Sequence, residues 1–300
     1  MDFGFMCFRN KGIIFIAIGL LGWIAEAGWA HTVDTSRVVW KKSLSTRLSA
    51  TQAAFSNWAE GGLNALALSG ALNGTFERIS PAWRQHYDVR LTLGVVKQDT
   101  LEVRKAEDLI RLAASLQYRG DGFFSLFNPT MSADLRTQFA PGYNYNKNPL
   151  GDGRPPPVKV SDLFSPAILN QAMGLTYQAD GWFRQRLGIG AKETIVLIQR
   201  LRKLYGLEPD QTVRFEVGVE SRTEVDRELF KNVRLKSRLG LFAAFNKPDL
   251  PDMLWENLLE MQVNSWLGTS LEVVALYDRD VSNEVQLKEV FSLGVTIKLL

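Results

Sequence analysis

LKEVFSLGVTIKLL, residues 287–300, closes the chain and decides its architecture. Phe291, Leu293, Val295, Ile297 and Leu299 fall on one face, while Lys288, Ser292, Gly294, Thr296 and Lys298 fall on the other. A period of two is that of a β-strand with unlike faces; a helix would return its apolar residues at three and four. Working outward, TVRFEVGVESR (212–222), VRLKSRLGLF (233–242) and WRQHYDVRLTLGV (83–95) carry the same alternation. One face is apolar in each, and the other carries charge. Such segments give about twelve strands, centred near 46, 70, 90, 112, 132, 171, 189, 217, 238, 260, 274 and 293. Several are ten or more residues long, against a usual strand of about 5–6.

Links between the strands alternate in length. Short ones fall at ISPA (79–82), RGDG (119–122), ADG (179–181), RELFKN (227–232) and SWLGT (265–269). Between them come SNWAEGG (56–62), KQDTLEVRK (97–105), the segment 141–162, QRLRKLYGLEPDQ (199–211), NKPDLPD (246–252) and DRDVSNEV (278–285). Long and short links therefore sit at opposite ends of the strands, and no interior stretch reads as a domain linker.

The N-terminus carries Arg9 and Lys11, the apolar run GIIFIAIGLLGWI and the small residues of AEAGWA. That order is the order of a secretory signal peptide, with cleavage expected after Ala27 or Ala30, and the apolar run is shorter than the roughly 20 residues of a spanning helix. The expected organisation is a signal peptide over 1–30 and one barrel domain over 31–300. The only cysteine, Cys7, precedes the apolar run, so the mature chain has no disulfide, no thiolate metal site and no thiol nucleophile. Hydrophobic residues make up 46% of the chain, yet beyond the leader they are dispersed, which excludes a helical membrane protein. A net charge of +3 gives no support to nucleic-acid binding.

Twelve long strands can close one barrel or form two packed sheets. Three features favour a closed antiparallel transmembrane β-barrel: strand lengths near the about 9–11 residues that cross a bilayer, one-sided loops, and aromatics near strand ends. The candidate girdle residues are Trp83, Tyr118, Phe123, Tyr177, Trp182, Trp255, Trp266 and Tyr277. Charged faces exposed to hydrocarbon would cost about 2–4 kcal/mol per Arg or Lys at the midplane, so they are expected to line the lumen. The candidate lumen residues are Arg90, Arg111, Arg136, Arg184, Arg186, Arg214, Glu216, Glu220, Arg222, Arg234, Lys236 and Arg238. Rows of opposite charge can line an anion-favouring pore or neutralise one another in a plug, and the sequence does not choose.

FSNWAEGGLNAL (55–66), LFKNVRLKSRLGLF (229–242), WENLLEMQVNSWLGTSLEVVALYDRDV (255–281) and VQLKEVFSLGVTIKLL (285–300) resemble an outer-membrane β-barrel family of Gram-negative bacteria known only as a domain of unknown function. The resemblance implies an outer-membrane barrel and transfers no catalytic residue. Outer-membrane barrels generally end on an aromatic residue; this chain ends Lys298, Leu299, Leu300. SNWAEGG is expected to be the first external hairpin, with Gly61 and Gly62 supplying the tight turn, Trp58 at interface depth, and Trp58 and Glu60 as the alternative partner-contact pair.

Catalytic chemistry finds little footing. His31 and His86 are the only histidines, so a multi-histidine metal site is absent, and no phosphate-cradling glycine loop is present. An outer-membrane lipid hydrolase would need His86 as base, yet His86 shares the lumen face with Asp88 and Arg90. Arg200, Arg202 and Lys203 form an external basic cluster that reads either as a lipopolysaccharide contact or as an ordinary solvated loop. The loop 140–164 is the candidate lid, constriction or receptor surface. The reading is a non-enzymatic, monomeric outer-membrane barrel, a small-solute pore or a structural barrel, without cofactor or metal. Its expected partners are outer-membrane lipid, lipopolysaccharide and the barrel assembly machinery. A lipid hydrolase and a soluble periplasmic all-β protein are the alternatives.

Overall fold

The computed structural model describes residues 38–53, 64–99, 101–179 and 181–300. The expected signal peptide over 1–30 and the hairpin residues Trp58, Glu60, Gly61 and Gly62 lie outside them. The compact unit Val39–Leu300 is all β and closes on itself. In chain order the strands are β1 (Val39–Ala53), β2 (Ala65–Ile79), β3 (Trp83–Gln98), β4 (Arg104–Tyr118), β5 (Phe127–Thr137), β6 (Gly142–Asn144), β7 (Val158–Ser161), β8 (Ala167–Ala179), β9 (Phe183–Ile195), β10 (Val213–Phe230), β11 (Val233–Ala244), β12 (Asp252–Gln262), β13 (Leu267–Tyr277) and β14 (Gln286–Lys298).

Twelve of these form the closed barrel, in the order β1-β14-β13-β12-β11-β10-β9-β8-β5-β4-β3-β2, every pair antiparallel. β6 and β7 make a separate two-stranded ribbon inside the long β5–β8 loop. The closing seam pairs Ser45 with Lys298 and Ser49 with Gly294, so no barrel edge is left open to a neighbouring chain. The barrel strands run from 11 to 18 residues. All twelve expected strands are present. The turn expected over 227–232 is shorter than its sequence suggested: β10 continues to Phe230, and Lys231 and Asn232 alone reverse the chain, Asn232 at φ 66°.

Alternation settles which wall is which. Leu187 and Ile189 on β9, Phe215 and Val219 on β10, and Phe291 and Leu293 on β14 stand on the exposed outer surface, Ile189 at 60% and Phe291 at 64%. Their neighbours Arg186, Glu216, Glu220 and Lys192 are buried on the inner wall. The molecule is thus apolar outside and charged inside, the reverse of a soluble sandwich. The inner wall is pinched where β8 meets β9: Gly174 lies opposite Gly188, and a Cβ on either would collide with a carbonyl oxygen of the other strand. Glycine is required there because the two backbones approach too closely for any side chain.

Aromatic residues gather at the short-turn end. Trp83 packs edge-on against Tyr118 at 5.2 Å, Phe123 against Phe127 at 5.1 Å, and Phe127 against Tyr177 at 6.0 Å, with Trp182 beside Phe183 at 5.7 Å. Trp266 sits in the turn before β13. Trp255 and Tyr277 depart from this ring: they stand toward the long-loop end, Trp255 as the fourth residue of β12, where its Nε1 donates to Ser237 Oγ on the outer wall, and Tyr277 as the last of β13.

Candidate functional site: the ion-paired lumen

Arg111 occupies the middle of β4, on the inner wall, and is 3% exposed. Its guanidinium donates to Asp134 Oδ2 from Nη2 at 2.6 Å and from Nε at 3.1 Å, and from Nη1 to Glu256 Oε2 at 2.6 Å. Asp134 is on neighbouring β5, but Glu256 is on β12. In the barrel order β12 is the fourth strand and β4 the tenth, six apart in a ring of twelve. The Arg111–Glu256 pair therefore joins opposite walls and crosses the lumen.

Further pairs build this crossing into a belt. Arg222 on β10 lies 3.5 Å from Asp134, Arg186 on β9 donates to Glu220 at 2.8 Å, and Arg238 on β11 donates to Glu224 at 3.1 Å and lies 3.7 Å from Glu256. Arg184 adds Glu224 at 3.7 Å. Arg90 on β3 reaches Glu272 on β13 at 2.6 Å, and Lys288 bridges Glu272 to Glu107. Toward the short-turn end, Lys236 and Arg47 share Glu260, and Arg234 holds Asp226 with two bonds of 2.6 and 3.0 Å. Opposite charges close together in a partly dehydrated lumen each satisfy the other, whereas either one alone would be costly.

Two spaces remain on either side of the belt. The outer cavity, about 300 Å³, is lined by Leu109, Ile168, Phe242 and Leu254, by Arg136, and by Tyr205 from the β9–β10 loop. The inner cavity, about 250 Å³, includes Asn73, His86, Asp88, Arg90 and Glu272. Arg111, Arg238 and Glu256 line both, so one layer of side chains separates them. A wider space of about 550 Å³ lies at the short-turn end around Arg47, Asp226, Arg234 and Lys298.

The outer end is capped by ordered loops. The 3-10 segment Gln199–Tyr205 buries Leu201 against Val196 and Leu207, with Leu150 of the β5–β8 loop packed on that cluster. Tyr205 hydroxyl donates to the Val160 carbonyl at 2.9 Å, and burial pushes its pKa up to about 12. Asp108 Oδ1 and Oδ2 accept from the backbone N–H groups of Phe139 and Ala140, pinning the start of the β5–β8 loop. Arg104 stacks over Tyr145 at 3.9 Å.

Two sites read from the sequence take on different work here. Arg214 stands at the outer rim, donating to the carbonyls of Tyr205 and Gly206 and to Glu216, and lying 3.3 Å from Asp280; it fastens the cap to β10. Of the basic cluster, Arg202 turns inward to the carbonyls of Val196 and Pro209 and to Thr212 Oγ1, and Arg200 donates to the Lys159 carbonyl. Those two cations order the loop before they face anything outside it. Burial opposes ionisation of Asp280, but the Lys247 hydrogen bond and the Arg214 charge outweigh it and hold its pKa below the usual carboxylate range. Sequence reading did not identify Glu224, Glu272 or Lys288 as members of the lumen network. Glu272 and Lys288 each fall on the charged face of an alternating strand, which was the available signal.

Residues 50–143 match the model of a family described as "Protein of unknown function (DUF3078)". The matched segment contains the sequence FSNWAEGG; the tail motifs lie beyond it. No curated protein is similar to the chain in sequence. Among solved structures, the translocator domain of autotransporter NalP from Neisseria meningitidis is similar at 6% identity and a TM-score of 0.37, covering 94% of each chain. The COG4313 outer membrane channel from Pseudomonas putida F1 is similar at 11% identity and a TM-score of 0.36, covering 89% of this chain and 97% of its own. Likeness at these scores says nothing of activity.

Proposed function

We propose that this chain is a non-enzymatic, monomeric outer-membrane β-barrel that acts as a narrow solute conduit, held closed at rest by the Arg111–Glu256 belt. Its apolar outer wall and closed hydrogen bonding suit a bilayer, where lipid and lipopolysaccharide would surround it after insertion by the barrel assembly machinery. One observation carries the conduit: Arg111, Arg238 and Glu256 line a cavity on each side, so movement of a single layer of side chains would join the two spaces. A solid structural barrel has no need of chambers above and below its ion pairs. A lipid hydrolase is disfavoured because His86 faces the inner cavity near the short-turn end, away from the outer wall where lipid would lie.

Single-channel recording of the refolded protein in planar bilayers tests the reading. Arg111→Ala is expected to turn a mostly closed protein into one with discrete steps, and Arg234→Glu with Arg238→Glu to lower any anion preference. Folded, inserted Arg111→Ala protein without conductance would leave a structural or surface barrel as the function.

A further inference from the structure

Arg136 is a lumen cation that takes no hydrogen bond in the belt. It sits on β5 directly opposite Arg111 on β4 and beside Ile168 on β8, on the wall of the outer cavity. Arg111 is bonded to Asp134 and Glu256, whereas Arg136 acts on Glu256 only through its charge, without a hydrogen bond to it. Arg111, Arg136, Arg222 and Arg238 thus stand around two carboxylates, Asp134 and Glu256, which leaves local positive charge facing the cavity. The carboxylates on that wall, Asp108, Asp134, Glu220, Asp252, Glu256 and Asp278, are each ion-paired, and between them Leu109, Ile168, Phe242, Leu254 and Leu276 supply an apolar surface. A space of about 300 Å³ whose carboxylates are already paired, with apolar surface between them and a guanidinium free of hydrogen bonds, has the make-up of a small-ligand site.

We propose that the outer cavity binds a small amphipathic carboxylate, its anionic head on Arg136 and its apolar body against Leu109, Ile168, Phe242 and Leu254. A planar guanidinium pairs two-pronged with a carboxylate, which a hydrated inorganic anion matches less well, and the apolar wall rewards a hydrocarbon body that such an ion lacks. The site deepens the conduit reading by naming its solute class, and it rests on the same lumen.

Isothermal titration of the full-length protein in lipid nanodiscs, with empty discs as blank, would use 4-phenylbutyrate, its alcohol 4-phenylbutanol, and chloride. Arg136→Gln is expected to weaken phenylbutyrate roughly ten- to a hundredfold, the worth of a charge-assisted hydrogen bond, and to leave the alcohol unchanged. Ile168→Asp, which sets a carboxylate beside Arg136 without removing it, should weaken phenylbutyrate similarly, so a folding failure of the first variant does not end the test. Equal phenylbutyrate affinity in wild type and in either folded variant, no binding at all, or displacement by equimolar chloride would overturn the proposal. Binding is read without conduction: conductance in Arg111→Ala without phenylbutyrate binding refutes the ligand and keeps the conduit, and the reverse result does the opposite.

Discussion

Arg111 holds two carboxylates on different walls, so removing it and removing one of its partners should not cost the same. Arg111→Met keeps most of the side-chain volume but leaves Asp134 with Arg222 at 3.5 Å and Glu256 with Arg238 at 3.7 Å, both longer than the 2.6 Å bonds lost. Breaking a buried ion pair from one side costs about 3–5 kcal/mol, and the cavities flanking the belt let water reach the orphaned carboxylates, which points to about 3 kcal/mol. Glu256→Gln leaves Arg111 its two bonds to Asp134 and leaves Arg238 its bond to Glu224, and a neutral acceptor remains in place. The expected loss there is about 1 kcal/mol. Urea unfolding of the barrel in lipid vesicles, followed by tryptophan fluorescence and by loss of the fast-migrating folded band on unheated gels, measures both. Equal losses in the two variants, or a loss under about 1 kcal/mol for Arg111→Met, would show that the cross-lumen pair does not bind the walls together.

Leu187→Arg, on the exposed outer wall, is expected to destabilise the inserted barrel by about 2–4 kcal/mol in the same assay, and an unchanged midpoint would contradict the outward assignment. Gly174→Ala should reduce the folded fraction by forcing β8 and β9 apart at Leu187, which gel mobility reports; wild-type yield would mean the strands tolerate a Cβ there. Asp280 has a folded pKa below its unfolded value of about 3.9, so it binds its proton more readily when the cap is open. Its contribution is therefore present above about pH 4 and lost as pH falls further; protease nicking of the 278–285 loop should rise below that pH in wild type and be pH-independent in Asp280→Asn. Tyr205 has the opposite sign: its folded pKa of about 12 exceeds the unfolded value of about 10, so the cap should loosen as pH rises beyond about 10, and Tyr205→Phe should abolish that alkaline step in hydrogen exchange of the 199–205 segment.

The barrel strands were legible because each one states its own two faces. Leu187 and Ile189 against Arg186 and Gly188, or Phe291 and Leu293 against Ser292 and Gly294, require no knowledge of the partner strand. Loop lengths then fixed which end is which. The belt was not legible for the complementary reason: Arg111 and Glu256 are separated by 145 positions and by six strands, and alternation says only that both point inward. The cap escaped as well. Val196, Leu201 and Leu207 have neither strand nor long-helix spacing, and QRLRKLYG read as a basic surface because nothing local shows that Arg202 is spent on carbonyls of its own loop. The bulge between Gly94 and Val95, which shifts β3 against β4, likewise depends on the neighbour's register.

A membrane barrel faces a problem of specification that a soluble domain does not. Its apolar residues face outward, so no apolar core tells the chain how many strands to close with, and each hairpin would pair equally well in a ring of ten or fourteen. Pairs between neighbouring strands, such as Arg238 with Glu256, leave that number open. Arg111 with Glu256 does not: the two meet head-on only when β4 and β12 are diametrically opposed, as they are in a ring of twelve. Arg90 with Glu272 and Lys288 with Glu107 set further chords, each spanning four strands around the closing seam. A ring of any other size would strand buried charges without partners, at several kcal/mol apiece. The ion pairs that cross the lumen would thus select the barrel's circumference, and a variant that removes Arg111 should be the one that closes least faithfully.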